Sequence, residues 1–287
     1  MNLQKVLDHR FKPIEHVLHA RDCMLYAAGI GLGARPEHPG DLQFLYEREL
    51  KVFPSFVNVI AHPGGWVQAP ELEVDWVRLL HGEQSFEMHR PLQSGKTYVG
   101  TFEVTDVIDK GVGKGALILM RKTLREAGVD EPVSTVTSTY FLRGDGGCGG
   151  TTDTAPTPHA LPDRSPDGTC VLATLPQAAL IYRLSGDYNP IHADPGMARK
   201  AGFERPILHG LCTLGVATRA IVQAVCEDQP ERLKSFQLRF SAPVYPGETI
   251  ATDYWLDGPV VSFRSRVLER DLVVLNNGRA ELFLPSH

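Results

Sequence analysis

Between Tyr182 and Pro195 the chain reads YRLSGDYNPIHADP, which sets a carboxylate (Asp187), a carboxamide (Asn189) and an imidazole (His192) within six residues. Pro190 biases Asn189 to an extended conformation, so Asp187 and His192 stand on two sides of a bend rather than along one helix face. A carboxylate beside an imidazole can take a proton from one atom and deliver one to another, as general acid–base catalysis requires. Farther on, His209-Gly210 opens a long apolar run. A glycine where a helix starts offers a bare backbone N–H at the positive end of the helix dipole, suited to a negative oxygen that develops during reaction. Taken singly, Asp and Asn near turns cap helices or fold loops. Taken together, these residues point to proton transfer beside an oxyanion.

The elements that must position them can be read from the same region. Thr174 as N-cap, Pro176 in the first turn and Gly186 as stop predict a helix over LPQAALIYRLS, and a one-turn helix is expected from Asp194-Pro195 to Gly202. Leu211, Leu214, Gly215, Thr218, Ile221, Val222 and Val225 recur at helical spacing, with Val216 and Ala220 apolar on the other side. That helix is therefore expected to be buried nearly all round. His209, Thr213, Thr218, Arg219 and Gln223 make the stretch too polar for a bilayer centre. The segments SFQLRFSAPV, ETIATDYWL, PVVSFRSRVLE and LVVLNNGRAELFL read as strands joined by Pro-Gly and Asp-Gly turns, a curved sheet that can wrap the helix.

Landmarks recur in the same order in the first half, on the far side of a Gly-, Thr- and Pro-rich passage at 144–168 that reads as a linker. Tyr26 echoes Tyr182, Leu80-His81-Gly82 echoes Leu208-His209-Gly210, and Ser85-Phe86 echoes Ser235-Phe236. Gly210 and Phe236 are 26 residues apart, but Gly82 and Phe86 only 4. The first half therefore lacks about 33 Å of helix, corresponding to Leu211 to roughly Arg232. It carries an insertion between Tyr26 and Gly82 instead. The expectation is an α+β double hot-dog: units at 1–143 and 169–287, one continuous antiparallel sheet, and a long helix from about Gly210 in the second unit only. Asp187 aligns with Gly31, so one reactive site per chain is expected.

The 287 residues are 43% hydrophobic and 22% charged, enough to bury a core. A net charge of −5 gives no general attraction to nucleic acid or an anionic membrane. Five scattered cysteines form neither a disulfide framework nor a zinc or redox motif, which fits a reducing, cytoplasmic setting. Neither an export signal nor, at Pro285-Ser286-His287, a peroxisomal address is expected. No HExxH motif is present, and no metal is expected.

YRLSGDYNPIHADP followed by AGFERPILHGLCTLG resembles the signature of the hydratase-2, or MaoC-like dehydratase, family. In the first half FLYERE, PSFVNVIA, LLHGEQSFEMHRPLQSG and TDVIDKGVGKG are similar to the same family, in particular to the hydratase-2 unit of peroxisomal multifunctional enzyme type 2. The resemblance implies (R)-specific addition of water to a trans-2-enoyl-CoA, with coenzyme A as part of the substrate and no cofactor. It implies Asp187 and His192 as the acid/base pair, Asn189 as their orienting partner, Gly210 as oxyanion donor and Glu47 as a contributor to hydratase activity. His81, Gly82, Lys110, Gly186, Tyr188, Pro190, Ile191 and Phe240 match positions lining the acyl-CoA site. A homodimer is implied, and a half without its helix suits medium, long or bulky acyl groups. The alternatives are the same chemistry on an acyl-carrier-protein thioester, a thioesterase, and a non-catalytic acyl-thioester-binding protein.

Overall fold

Period-two alternation of apolar residues builds the sheet. In the computed structural model, which describes residues 1–35, 37–152 and 156–283, the first half contains α1 (Leu3–Leu7), β1 (Ile14–Val17), α2 (Ala20–Gly29), α3 (Pro39–Leu42), β2 (Leu79–Met88), β3 (Thr97–Asp109), β4 (Ala116–Glu126) and β5 (Pro132–Leu142). The second half contains β6 (Gly168–Ala173), α4 (Ala178–Tyr182), α5 (Pro195–Lys200), α6 (Gly210–Ala224), β7 (Leu233–Phe240), β8 (Thr249–Asp257), β9 (Val260–Val267) and β10 (Leu272–Leu282). The strands form one sheet in the order β1-β3-β4-β5-β2-β7-β10-β9-β8-β6. Each half repeats the same internal order, and the halves meet where β2 pairs antiparallel with β7, Phe86 opposite Phe236. Those two rings stack at 5.8 Å, and Phe263 lies 4.5 Å from Phe236. The double hot-dog architecture is thus present.

Helix α6 is buried continuously from Cys212 to Val222. Thr213 and Thr218 satisfy their hydroxyls within the helix, donating to the carbonyls of His209 at 3.2 Å and Leu214 at 2.9 Å. The helix is shorter than the spacing argument implied. It stops at Ala224, because Glu227 and Asp228 both adopt left-handed backbone ahead of Pro230, and residues 225–232 turn back toward β7. Thr174 is not a helix cap. Its hydroxyl donates to the Glu248 carbonyl at 2.8 Å and accepts from Gly247 N–H at 2.9 Å, tying β6 to the turn before β8. The short helix at Pro195 does have its cap, Asp194 accepting from Gly196 and Met197.

The first half has no counterpart of α6, but the space is filled. The insertion buries Phe44, Phe53, Phe56, Val57 and Ile60, and its 3-10 turn Pro54–Asn58 packs on β2, β5 and α6. Asp41 locks the insertion to α6: it is buried, faces Arg219 at 3.4 Å, and accepts from Gln223 at 3.1 Å and from Gly33 N–H at 2.9 Å. The passage 144–168 is less free than its composition implies. The Asp109 carboxylate accepts from Gly111, Gly147 and Gly149 N–H, His159 is hydrogen-bonded to Ser262 and Asn277, and Gly168 already belongs to β6. Among the described residues no helix is long and apolar enough to cross a membrane. Pro285-Ser286-His287 lie outside the described residues.

Alternation along β4 turns Lys122 inward with Ile118, Met120 and Leu124. Its ammonium donates to the carbonyls of Val57 and Ile60 and has no carboxylate partner among the described residues. Burial pulls its pKa from 10.5 down to about 7. The unfolded chain then binds more protons than the folded one between pH 7 and 10, so stability rises with pH across that window. Thermal unfolding midpoints of the protein should climb from pH 7 toward pH 9.5, and Lys122→Met should flatten that climb. An unchanged slope in the variant would show that Lys122 is not its source.

Candidate active site

Tyr182 ends α4, Arg183–Ser185 add a 3-10 turn, and Gly186 stops it at φ 125°, a conformation open to glycine. The chain then enters the exposed stretch Gly186, Asp187, Tyr188, Asn189 and Pro190. Local hydrogen bonds shape it: Asn189 N–H donates to Asp187 Oδ1 at 3.1 Å, and Ile191 N–H to Asn189 Oδ1 at 3.2 Å. Asn189 caps the 3-10 turn Pro190–His192, which drops His192 into the interior. The Asp187 side chain is 54% exposed against 8% for His192, and Oδ2 faces Nε2 at 4.0 Å. The Arg183 guanidinium lies over the Tyr188 ring.

The tautomer of His192 follows from its other nitrogen. Nδ1 lies 2.9 Å from the Ile207 carbonyl, which can only accept, so Nδ1 carries the proton and Nε2 points its lone pair toward Asp187. Burial lowers the His192 pKa, against the opposing pull of the Ile207 carbonyl and Asp187. A neutral imidazole and a carboxylate therefore face each other as two acceptors with no proton between them. A molecule that donates to both, such as water, fits that arrangement.

His209 stacks face to face on His192, ring centroids 3.7 Å apart and planes 24° apart. Gly210 follows as the first residue of α6; no side chain caps this end, and the exposed Gly210 has its N–H free of any intrahelical acceptor. A methyl group at Gly210 would come within 3.3 Å of the Phe240 ring. Phe240 in turn lies 4.9 Å from the ring of His81. Hence Asp187, His192, Gly210, Phe240 and His81 gather at one end of the β2–β7 join. Nitrogen and oxygen atoms of Asp187, His192 and His209 lie within 4.8 Å of one another. One nitrogen of each ring is already taken up by a backbone carbonyl, His192 Nδ1 by Ile207 and His209 Nε2 by Asp187.

The first half supplies a wall. His81 is held by Gln84 Oε1 at 2.8 Å, which also accepts from Ser138, while Gln84 Nε2 donates to Asn58 Oδ1 at 2.7 Å. Burial brings His81 to a pKa of about 4, with the Gln84 hydrogen bond and Asp187 pulling the other way. His62 is exposed, its Nδ1 accepting from Gly64 N–H at 3.0 Å. Lys110 is exposed at the end of β3, with its ammonium 5.8 Å from the Phe141 ring.

Two expected residues show no contact with the Asp187–His192 pair among the described residues. Gly82 serves a bulge between His81 and Glu83, where a side chain would press on the Thr139 carbonyl. Glu47 lies on an exposed turn and makes no hydrogen bond or ion pair among the described residues. The residues missed were His209, Asn58 and Gln84. The echoed His-Gly pairs were the available signal for His209: both histidines face the site. An apolar cavity of about 530 Å³ lined by Val52, Met88, Leu92, Leu233 and Phe283 lies at the other end of β2, remote from Asp187.

Residues 16–144 match the family described as MFE-2 hydratase 2 N-terminal domain, and residues 157–277 match the MaoC like domain. Enoyl-CoA hydratase 2, peroxisomal, of Arabidopsis thaliana is 37% identical over 96% of this chain and 93% of its own length. The chain belongs to the MaoC-like hydratase 2 family. Another member, 3-hydroxyacyl-thioester dehydratase Y of Mycobacterium tuberculosis, is 40% identical over 91% of each chain. The crystal structure of a MaoC-like dehydratase from Phytophthora capsici superposes with a TM-score of 0.87 at 35% identity, covering 99% of both chains. Within this family fold, the carboxylate opposite His192 raises the imidazole pKa, so Asp187→Asn should lower it further. Nitrogen-15 NMR titration of the imidazole would read the midpoint; one that rises or stays put would mean that Asp187 does not act on His192.

Proposed function

We propose that the protein is an (R)-specific 2-enoyl-CoA hydratase, reversibly adding water to a trans-2-enoyl-CoA. The observation that carries this reading is the unprotonated His192 Nε2 facing the Asp187 carboxylate at 4.0 Å, beside the free N–H of Gly210. Water donating to both acceptors has its oxygen directed at C3 of the enoyl group. As the C3–O bond forms, the double-bond electrons move toward the thioester oxygen, which Gly210 N–H and the helix end stabilise. One hydrogen of the water stays as the new hydroxyl; the other passes through the Asp187–His192 pair to C2, and the enzyme returns to its starting state. Asn189 holds the Asp187 loop in shape, and Lys110 offers a cation for a coenzyme A phosphate. Glu47 contributes to hydratase activity without a bond to the pair.

Five free cysteines suit a reducing compartment, which we take to be the cytoplasm, and we take the working form to be a homodimer. Asp187→Asn and His192→Gln should each lower kcat by roughly 10²–10⁴ with the fold intact. The double variant should resemble the worse single one, because removing either group misplaces the shared water. The product should be (R)-3-hydroxyacyl-CoA. An (S) product, or near-normal turnover by Asp187→Asn, would remove this site from consideration. Activity confined to the carrier-protein thioester in a paired assay would move the substrate but keep the chemistry. We take the acyl group to be medium, long or bulky even though the insertion fills the place of the missing helix, so kcat/KM should hold or rise from four-carbon to about ten-carbon thioesters. A collapse beyond crotonyl-CoA would contradict this.

A further inference from the structure

His209 is 2% exposed and immediately precedes α6, yet it does not cap the helix. Its Nε2 lies 3.1 Å from the backbone carbonyl of Asp187. A carbonyl only accepts, so Nε2 carries the proton. Nδ1 is buried and has no hydrogen-bond partner. The ring is sandwiched between His192 at 3.7 Å and Tyr182 at 5.0 Å. Asp187 otherwise sits on an exposed loop whose remaining hydrogen bonds are local turns within residues 187–191. Among the described residues, the bond from His209 is the one that anchors this residue to the protein interior.

We propose that His209 is a positioning residue: through the hydrogen bond from its ring it fixes the Asp187 backbone, thereby setting the gap between Asp187 and His192. The inference rests on the proposed roles of that pair. Neutrality is built in, because a second proton on Nδ1 would be a buried donor without an acceptor. Helix α6 thus controls both sides of the reaction, through Gly210 on the oxyanion and through His209 on the acid–base pair.

Two variants separate the functions of the ring. His209→Phe keeps a stacking ring of similar size and deletes only the Nε2 donor, since Nδ1 has no partner to lose. His209→Gln keeps an amide N–H that reaches the same carbonyl. With a trans-2-enoyl-CoA as substrate, the phenylalanine variant should lose about tenfold in kcat, the worth of one hydrogen bond, with KM within about twofold. The glutamine variant should recover to within about threefold of the parent. Hydrogen exchange of the amides at 187–191 should quicken in His209→Phe and return in His209→Gln. Normal exchange in the phenylalanine variant, or a kcat loss that glutamine leaves in place, overturns the proposal. Should the phenylalanine variant not fold, nitrogen-15 NMR of the unmodified protein decides: a neutral Nε2–H tautomer of His209 at pH 7 supports the role, and an Nδ1–H or charged ring rejects it. If the unmodified protein hydrates no enoyl-CoA, the proposed function fails, while the exchange and tautomer measurements still decide what His209 does.

Discussion

Helix α6 has no polar face to give to water, and this demand for complete burial organises the molecule. From Cys212 to Val222 every residue is enclosed, by β6, β7 and β8 on one side and by the first-half insertion on the other. Burial of a charge on such a helix is tolerable only with a partner. Arg219 therefore requires Asp41, and Asp41 requires the insertion to be where it is. The enclosure loosens at the two ends of α6, where Gly210 and Ala224 are exposed. The proposed chemistry lies at the Gly210 end, where the uncapped backbone donors, the stacked histidines and the exposed Asp187 loop converge.

The two halves share a topology but divide the work. On the proposed reading the second half holds the proton-transfer residues and the oxyanion donor, while the first half contributes His81 to the opposite wall. At the position matching Asp187 the first half has Gly31, whose carbonyl accepts from Arg219. The equivalent loop has thus become a structural clamp on α6. The buried chain from Asn58 through Gln84 to His81 shows how the insertion reaches the site: it sets a ring orientation from behind.

Regular periodicity made much of this readable. The strands announce themselves by alternation, α6 by its apolar spacing, and the missing helix by the short distance from Gly82 to Phe86. Asp187, His192 and Gly210 could be picked out because a bend and a helix start place their groups predictably. Features governed by long-range contact were not legible. Thr174 looks like a cap until Glu248 arrives from the next strand to claim its hydroxyl. Residues 44–62 form no repeating pattern, with Glu49 and Ala61 at positive φ, so their filling of the first half leaves no periodic trace. Lys122 reads as a surface charge in isolation and is buried only because Val57 and Ile60 turn their carbonyls onto it. Glu47 came from resemblance alone, and no local contact ties it to the pair.

The passage between the halves ends up stitched to both, its glycine N–H groups on Asp109 and its His159 against Ser262 and Asn277. The β2–β7 seam is consequently formed by two partners that never diffuse apart. Their encounter is unimolecular, and its effective concentration is set by the tether and not by the amount of protein in the cell. A seam assembled from separate chains would dissolve on dilution and take His81 away from Asp187. Here the cleft stays assembled however scarce the enzyme is, because dilution cannot separate its two walls.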